Sequence, residues 1–253
     1  MSLELAEMAA GSPKTELVYL RDMNRRRDEA NAIKVVPEKR THAYLILDRT
    51  IFHPKGGGQP SDRGTIRAPG FKLTVKKAIN YRGVVLHWGK LVEGSASQGP
   101  VTGELDWELR LLVMRRHTAA HLLDHCLAAT TGQRVQTTDS WLGEPCYVGY
   151  AGVSPDQQTL GKVEAMAKEM ISGGGLVKLE FLTPEESAKV LQNAPNYERL
   201  PDLQEVRTVT ISGCEPIPCG GTHVADISEI GKLTALHAEQ MPTQSFRLHF
   251  SVA

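Results

Sequence analysis

The chain has 253 residues, 41% of them apolar and 23% charged, and its 29 basic side chains match its 29 acidic ones, values that exclude disorder, collagen and a coiled coil. Because the chain is neutral, contacts with nucleic acid have to come from local patches of charge rather than from overall attraction. Four cysteines without a regular framework and the lack of an apolar run of about twenty residues argue against secretion and membrane insertion, so we expect a cytoplasmic protein with no membrane partner.

The first part of the chain predicts a small β-rich domain. Residues 1–14 are small and polar apart from short apolar pairs, and we expect them to be disordered. The composition of residues 92–100 predicts a linker or an exposed turn. Between these segments, apolar stretches separated by Gly, Pro and Asp predict strands at 43–48, 71–78 and 83–89. We therefore predict a β-barrel domain over residues 15–102.

The pattern changes at residue 103. Apolar residues at helical spacing predict a long, buried helix within 103–132, with Gly132 just beyond its end. Capping patterns that begin at Ser154 and at Thr183 predict two more helices. Strands are predicted at 176–182, 206–212, 232–239 and 245–252. We therefore predict a second, α+β domain over residues 103–253, and an α+β fold class for the chain.

Two pairs of residues have the spacing of metal ligands. His117 and His121 lie four residues apart, so the predicted helix projects both imidazoles from one face. Cys219 and His223 are also four residues apart, with two glycines between them. Sulfur and nitrogen donors favour Zn²⁺ over Mg²⁺ or Ca²⁺. The alternative is that these are ordinary helix residues and a buried thiol, but two pairs in one reduced chain favour a zinc site.

Three motifs carry a resemblance to a known family. The stretches "RHTAAHLL" (116–123) and "CGGTHV" (219–224) are similar to the paired zinc motifs of the editing domain of alanyl-tRNA synthetases and of the free-standing AlaX editing proteins. The stretch "FHPKGGGQPSDRG" (52–64) resembles the glycine-rich motif of the longer AlaX proteins, although His53 stands where tyrosine is common. The resemblance covers about residue 17 to the C-terminus.

The resemblance implies a trans-editing hydrolase. Such an enzyme cleaves the aminoacyl ester at the tRNA 3′ end of Ser-tRNA(Ala) and Gly-tRNA(Ala), and no stable protein partner is implied. An alanine pocket excludes serine and glycine poorly, since a methylene-sized difference contributes only about 1–3 kcal/mol. A second site that hydrogen-bonds the serine hydroxyl discriminates against alanine by about 10⁴-fold or more in rate.

The resemblance also implies roles for further residues. Gly220 and Gly221 are candidate oxyanion contacts, although their simpler use is to turn the chain. The expected substrate-binding residues are those of the glycine-rich stretch and two threonines, of which Thr138 is the ungapped match to the family's serine-reading threonine: Gly56, Gly57, Gly58, Gln59, Asp62, Thr137 and Thr138. The zinc can activate water, polarise the ester or hold the pocket in shape, and four protein ligands favour the last.

Two other functions remain open at this stage. The sequence is also compatible with a zinc-stabilised tRNA-binding module without hydrolysis, and with a hydrolase for another ester such as Ser-tRNA(Thr). Any contact with tRNA is expected from three basic clusters, each of which is also compatible with an ordinary solvated face. They are residues 21–27, Lys72 with Lys76 and Lys77, and Arg110 with Arg115 and Arg116.

Overall fold

The computed structural model describes residues 2–38, 41–196 and 204–253. The chain divides into two compact units, the first formed by Met1–Gly56 and Pro60–Arg110, the second by Gly57–Gln59 and Leu111–Ala253. The tripeptide Gly57–Gln59 therefore groups with the second unit, whereas the residues on either side of it group with the first.

The described residues form four α-helices and fifteen strands, which we label in chain order. The helices are α1 (Ser2–Ala9), α2 (Trp107–Thr131), α3 (Gln157–Gly173) and α4 (Pro184–Val190). The strands are β1 (Glu16–Leu17), β2 (Arg27–Glu38), β3 (His42–Leu47), β4 (Arg49–Thr50), β5 (Gly64–Ala68), β6 (Phe71–Tyr81), β7 (Val84–Gly94), β8 (Gly99–Leu105), β9 (Thr137–Trp141), β10 (Tyr147–Ala151), β11 (Val177–Leu182), β12 (Val206–Ile211), β13 (Ile217–Pro218), β14 (Leu233–Met241) and β15 (Ser245–Val252).

Six strands of the first unit form a closed barrel, in the order β2-β3-β7-β6-β5-β8. Apolar side chains on alternate positions fill the barrel, among them Leu45, Ile66, Leu73 and Val75. The predicted barrel is therefore confirmed. Strand β2 was not predicted, because Ala32 is its one buried residue and the strand shows no apolar alternation. The predicted linker at 92–100 is shorter than expected, since β7 extends to Gly94 and β8 begins at Gly99.

Helix α1 corrects the expectation that residues 1–14 are disordered. Ala9 is buried in a small apolar cluster with Ile46 and Leu86, and the partly buried Leu5 and Met8 pack against it. The short apolar pairs of this segment therefore form one face of a helix. Spaced over only two turns, they were too few for the sequence to indicate a helix.

A buried ion pair joins two distant parts of the first unit. The carboxylate of Asp62 accepts from Nε and Nη2 of Arg110, with an Nε to Oδ1 distance of 2.9 Å. The same carboxylate accepts from the backbone N–H of His53 at 2.6 Å. Arg110 also donates to the backbone oxygens of Met23 and Ile51. Both charges are almost fully removed from solvent, so each depends on the other.

The second unit is a mixture of helices and two sheets, ordered β14-β15-β10-β9 and β11-β12-β13. Helix α2 has 25 residues and buries Val113, Leu123 and Leu127, as predicted. None of the helices in the described ranges is long and apolar enough to cross a membrane. The content of helix and strand confirms a mixed fold.

The capping predictions for the next two helices had different outcomes. The predicted capping box of α4 is present, with Thr183 and Glu186 bonding reciprocally across the first turn. The N-cap of α3 is Asp156, whose side chain accepts from the backbone N–H of Thr159, and Ser154 lies outside the helix. The predicted start of α3 at Ser154 is two residues early, because serine and aspartate are both good N-caps.

Candidate metal centre

The two predicted ligand pairs meet in the second unit. Helix α2 carries His117 and His121 on one face, with ring centroids 5.0 Å apart. The loop that follows β13 carries Cys219 and His223. The Sγ atom of Cys219 lies 3.4 Å from Nε2 of His117 and 3.3 Å from Nε2 of His223. One potential ligand atom from each of the four residues lies within 4.8 Å of the other three.

The backbone of Cys219 is fixed by its neighbouring strand. Its N–H donates to the carbonyl oxygen of Arg207 on β12 at 3.0 Å. In return, Nη1 of Arg207 donates to the carbonyl oxygen of Cys219 at 2.5 Å. The backbone N–H of Gly221 donates to Sγ of Cys219 at 3.3 Å. The thiol is therefore held by the strand on one side and by its own loop on the other.

Each histidine of the cluster has a polar atom near its second ring nitrogen, the arrangement that orients metal ligands in proteins. The three pairs are Nδ1 of His117 with Oε1 of Gln59 at 2.9 Å, Nδ1 of His223 with Oγ1 of Thr118 at 3.2 Å, and Nδ1 of His121 with Oδ2 of Asp124 at 3.7 Å. All three imidazoles thus turn Nε2 towards the centre of the cluster.

Gln59 lies inside the second unit, with none of its surface exposed. Its Oε1 faces His117 and accepts from the backbone N–H of Thr222 at 3.0 Å, while its Nε2 donates to Oγ1 of Thr222 at 3.0 Å. The resemblance implied a contact with the aminoacyl group. In the structure both ends of the amide make contacts within the second unit, and its Oε1 positions His117.

Glycine is required on steric grounds at two positions beside the cluster. A Cβ atom on Gly221 would overlap the ring of His117 and lie 2.8 Å from Oε1 of Gln59. A Cβ atom on Gly58 would overlap Oγ of Ser140 and lie 2.8 Å from its carbonyl oxygen, and the φ angle of Gly58 is +79°. Close approach of the backbone therefore explains these two glycines. At Gly220 a Cβ atom would meet nothing within 4 Å.

The cluster also controls the protonation of its members. Burial alone raises the pKa of the Cys219 thiol, but the imidazoles of His117 and His223 lower that pKa well below its usual value. Burial and the charge of His117 lower the pKa of His223 to about 3. Burial by itself lowers the pKa of His121. The nearby Asp124 and Cys219 outweigh this effect and raise the pKa of His121 to about 10. The thiolate of Cys219 and the neutral imidazole of His223 are thus in the form that binds metal.

The donor set fits a metal ion. Zinc bonds of about 2.3 Å to sulfur and about 2.0–2.1 Å to nitrogen, in a tetrahedron, separate neighbouring donors by roughly 3.5 Å. The two measured separations between sulfur and nitrogen, 3.3 and 3.4 Å, agree with that value. Nε2 of His121 is buried and has no hydrogen-bond partner within the described ranges, which suits a ligand atom. Nitrogen and thiolate donors favour zinc among the common divalent ions.

Known proteins resemble this chain over most of its length. Residues 12–109 match the family described as tRNA synthetases class II (A). The chain is 29% identical to the alanyl-tRNA editing protein AlaX-M of Methanosarcina acetivorans over 94% of this chain and 99% of that protein. It is 31% identical to the alanyl-tRNA editing protein AlaX-L of Pyrococcus horikoshii over 93% of this chain and 57% of that protein. Most of the chain is thus similar to alanyl-tRNA editing proteins.

Other relatives of the chain are much longer proteins. The chain is 29% identical to the alanine–tRNA ligase of Methanobrevibacter smithii over 94% of its own length and 27% of that protein. The chain therefore spans about a quarter of the length of the alanine–tRNA ligases that it matches.

The remaining predicted site residues of this chain lie in different surroundings. Asp62 belongs to the first unit, where His53 and Arg110 occupy its carboxylate, so its observed role is in the buried ion pair. Thr138 is exposed on β9, and its hydroxyl donates to Oδ1 of Asp139 at 3.2 Å. Thr137 is buried and donates through Oγ1 to the carbonyl oxygen of Pro195. Gly56 is exposed and groups with the first unit.

The predicted basic cluster of Arg110, Arg115 and Arg116 is wrong for two of its members, because Arg110 and Arg116 are buried. Arg110 is 1% exposed, in the ion pair with Asp62. Arg116 is 7% exposed, and its guanidinium donates to the carbonyl oxygens of Leu142 and Gly143 and pairs with Glu144. These two arginines stabilise the fold and do not offer their charge to phosphate.

Four residues of the site were not predicted: Thr118, Asp124, Arg207 and Thr222. Two of them stand beside ligands within the motifs, Thr118 after His117 and Thr222 before His223. Oγ1 of Thr118 donates to the carbonyl oxygen of Met114 and accepts from the backbone N–H of Val224. A threonine next to one ligand of each pair was a usable signal, but its hydrogen-bond partners depend on the fold.

Proposed function

We propose that this chain is an aminoacyl-tRNA ester hydrolase that clears serine and glycine from tRNA(Ala), with Zn²⁺ held by His117, His121, Cys219 and His223. The observation that carries the proposal is the convergence of these four ligand atoms, together with the polar contacts that Gln59 and Thr118 make to His117 and His223. The match along 99% of an AlaX-M protein supports an editing role.

Each part of the site has its own task in this proposal. Bound zinc supplies positive charge next to the ester, and four protein ligands are the pattern of a zinc ion that holds a pocket in shape. Gln59 holds His117 in one tautomer and orientation. The N–H of Gly221 is directed at the thiolate, so Gly220, on the exposed turn of the same loop, is the better candidate to donate to a developing oxyanion.

Thr138 is our candidate for reading serine. Its hydroxyl is exposed and uses its proton on Asp139, so its oxygen can accept from the hydroxyl of a seryl group. An alanyl group has no hydroxyl and leaves this oxygen without that partner, which disfavours Ala-tRNA(Ala). Thr137 is buried against Pro195, which makes it the weaker of the two candidates.

Deacylation of labelled aminoacyl-tRNA tests the proposal. We expect the purified, zinc-loaded protein to release serine and glycine from tRNA(Ala) and to leave alanine in place. Release from Ser-tRNA(Thr) but not from Ser-tRNA(Ala) would assign another ester. If Ser-tRNA(Ala) is bound but stays intact while zinc is present, the chain is a tRNA-binding module without hydrolysis.

The variant Thr138→Val tests the reading of serine. Valine keeps the shape of threonine without its hydrogen bond, so serine release is expected to fall at least tenfold at constant zinc content and thermal stability. Thr65→Val on β5 of the barrel is the matched control and is expected to act at the parent rate. Parent-like serine release by Thr138→Val would show that the hydroxyl is read elsewhere.

A further inference from the structure

The outer surface of the barrel carries a row of three aromatic side chains on β3 and β7. On β3 these are His42 and Tyr44, and on β7 it is Trp88, which lies opposite Tyr44. The indole of Trp88 stacks on the imidazole of His42, with ring centroids 5.3 Å apart and an angle of 17° between the ring planes. All three rings are half-buried and lie outside the apolar core that fills the barrel. Their alternation with inward-facing residues therefore leaves them on the outer face, where a partner can reach them.

A β-bulge beside this aromatic row exposes lysine side chains. The pairing register of β6 with β7 shifts just before Lys77, so Lys76 is an extra residue, and both of these side chains are exposed. Lys77 lies opposite Trp88, and the exposed Lys90 lies opposite His42. None of the ion pairs found among the described residues includes any of these three lysines. Their charges are therefore available to an anion from outside the chain.

Acidic and basic groups lie on different sides of the aromatic row. The carboxylates of Glu38 and Glu4 both interact electrostatically with Tyr44, on the side of β2 and α1. The three lysines lie on the other side, on β6 and β7. Farther along these two strands Lys72 lies opposite Glu93, so their charges offset one another. Because the chain as a whole is neutral, this local excess of positive charge indicates a polyanionic partner.

The two faces of the Trp88 indole have different neighbours. Strand β7 lies between β3 and β6 in the barrel, so His42 approaches the indole from one side and Lys77 from the other. The Nζ atom of Lys77 lies 5.8 Å from the centroid of the indole. Nε1 of Trp88 donates to Oε2 of Glu38 at 2.7 Å, which fixes the orientation of the ring. A cation–π contact at an exposed site is weaker than the stacking of a base on an aromatic ring, so Lys77 can move to a phosphate and leave its side of the indole to a base.

We propose that this face of the barrel binds an unpaired nucleotide of the tRNA substrate, with the base on the indole of Trp88 and the neighbouring phosphates at Lys77 and Lys90. The identity of the RNA rests on the proposed function. Aromatic rings stack on bases of any sequence and ammonium groups follow the phosphate backbone, which is the combination that binds single-stranded nucleic acids. The face lies in the first unit and includes no residue of the candidate metal centre. It therefore adds affinity for the tRNA and takes no part in hydrolysis.

Variants of the ring and of the lysines test the proposal separately. Trp88→Leu removes the aromatic surface, and Trp88→Phe keeps a ring at the same position. The double variant Lys77→Gln with Lys90→Gln removes two charges, and Lys162→Gln with Lys178→Gln is its matched control, since both of these lysines are exposed on the second unit. The probes are a short single-stranded RNA, a duplex of the same sequence and uncharged tRNA(Ala). Fluorescence anisotropy measures each dissociation constant over a range of salt concentrations, on zinc-loaded protein.

We expect the parent to bind the single strand at least tenfold more tightly than the duplex. Trp88→Leu is expected to weaken binding of the single strand and of tRNA(Ala) at least tenfold, and to raise KM for Ser-tRNA(Ala) with kcat unchanged, whereas Trp88→Phe changes these values less than about threefold. Each lost phosphate contact lowers the slope of log affinity against log salt by about 0.7 for a single strand, so the double variant at Lys77 and Lys90 is expected to lower it by about 1.4, with the control unchanged.

Parent-like RNA binding by Trp88→Leu, or equal losses in the leucine and phenylalanine variants, would overturn the inference and leave the hydrolase proposal intact. An unchanged salt dependence in the double lysine variant would overturn it in the same way, even if Trp88→Leu does not fold. Equal binding of duplex and single strand, or binding to phosphatidylserine vesicles in place of RNA, would also overturn it. RNA binding that depends on Trp88 and the lysines, in a protein that never hydrolyses Ser-tRNA(Ala), would support the surface and reject the hydrolase.

Discussion

Replacing Gln59 by leucine removes the support of one metal ligand without touching the ligand itself. Leucine fills a similar volume but offers no acceptor to Nδ1 of His117 or to the backbone N–H of Thr222. Both donors lie in a fully buried environment, so each is left unsatisfied at a cost of about 1–3 kcal/mol. We expect the free energy of unfolding to fall by about 2–6 kcal/mol.

The effect on metal binding is expected to be separate and measurable. Loss of a supporting partner of a ligand histidine lowers metal affinity by about 10–100-fold. That range corresponds to about 1.4–2.7 kcal/mol of binding free energy. Competition with a chromophoric chelator at pH 7 measures the zinc affinity, and urea unfolding measures the stability. Zinc affinity within twofold of the parent would refute the reasoning.

Two further variants control the experiment. Gln59→Glu keeps the oxygen that faces His117 and Thr222 and is expected to keep the zinc affinity within about threefold, because carboxylates support ligand histidines well. Gln158→Leu makes the same chemical change at an exposed position on α3 and is expected to alter neither property. Equal loss of zinc in the leucine and glutamate variants at position 59 would mean that packing, and not the acceptor, supports the ligand.

Three other predictions follow from buried contacts. Burial lowers the pKa of His87 from 6.5 to about 4, so the folded state favours the neutral imidazole. The free energy of unfolding is therefore expected to keep its full value above pH 6.5 and to fall by about 3 kcal/mol as the pH is lowered towards 4. Urea unfolding of the parent and of His87→Gln at pH 7 and 4.5 measures this, and equal pH dependence would contradict it. Arg110→Met leaves the charge of Asp62 buried and is expected to lower the free energy of unfolding by about 3–5 kcal/mol, and a loss below about 1 kcal/mol would contradict this. Gly221→Ala is expected to lower zinc affinity at least tenfold, because the new methyl group overlaps a ligand ring, whereas Gly220→Ala has open space and keeps its zinc; elemental analysis after dialysis against a chelator distinguishes them.

The ligand pairs could be predicted because each is local in the sequence. A spacing of four on a helix places His117 and His121 on one face, and a turn with two glycines lets Cys219 and His223 approach each other. The barrel was predictable for a similar reason, since the alternation on β6 is visible within a few residues. We could predict that the two pairs meet at one site because imidazole and thiolate donors bind the same kind of metal ion.

The supporting contacts could not be predicted, because they join residues that are far apart. Gln59 and Thr222 are 163 positions apart, and no local pattern links an amide in a glycine-rich loop to a threonine in a later motif. Arg110 shows the opposite problem. Its neighbours Arg115 and Arg116 suggest an exposed basic face, but helix α2 turns successive side chains in different directions and buries two of the three.

The long reach of Gln59 has a consequence for the order in which the molecule is made. At about 5–20 residues per second, a ribosome that has just added Gln59 needs roughly 10–30 s to reach Thr222, its partner 163 residues later. During that interval His117 and His121 of α2 are also synthesised, before Cys219 has been added to the chain. The ligand shell therefore closes only after Cys219 and His223 have been added, and we expect zinc to enter a chain whose barrel has already folded.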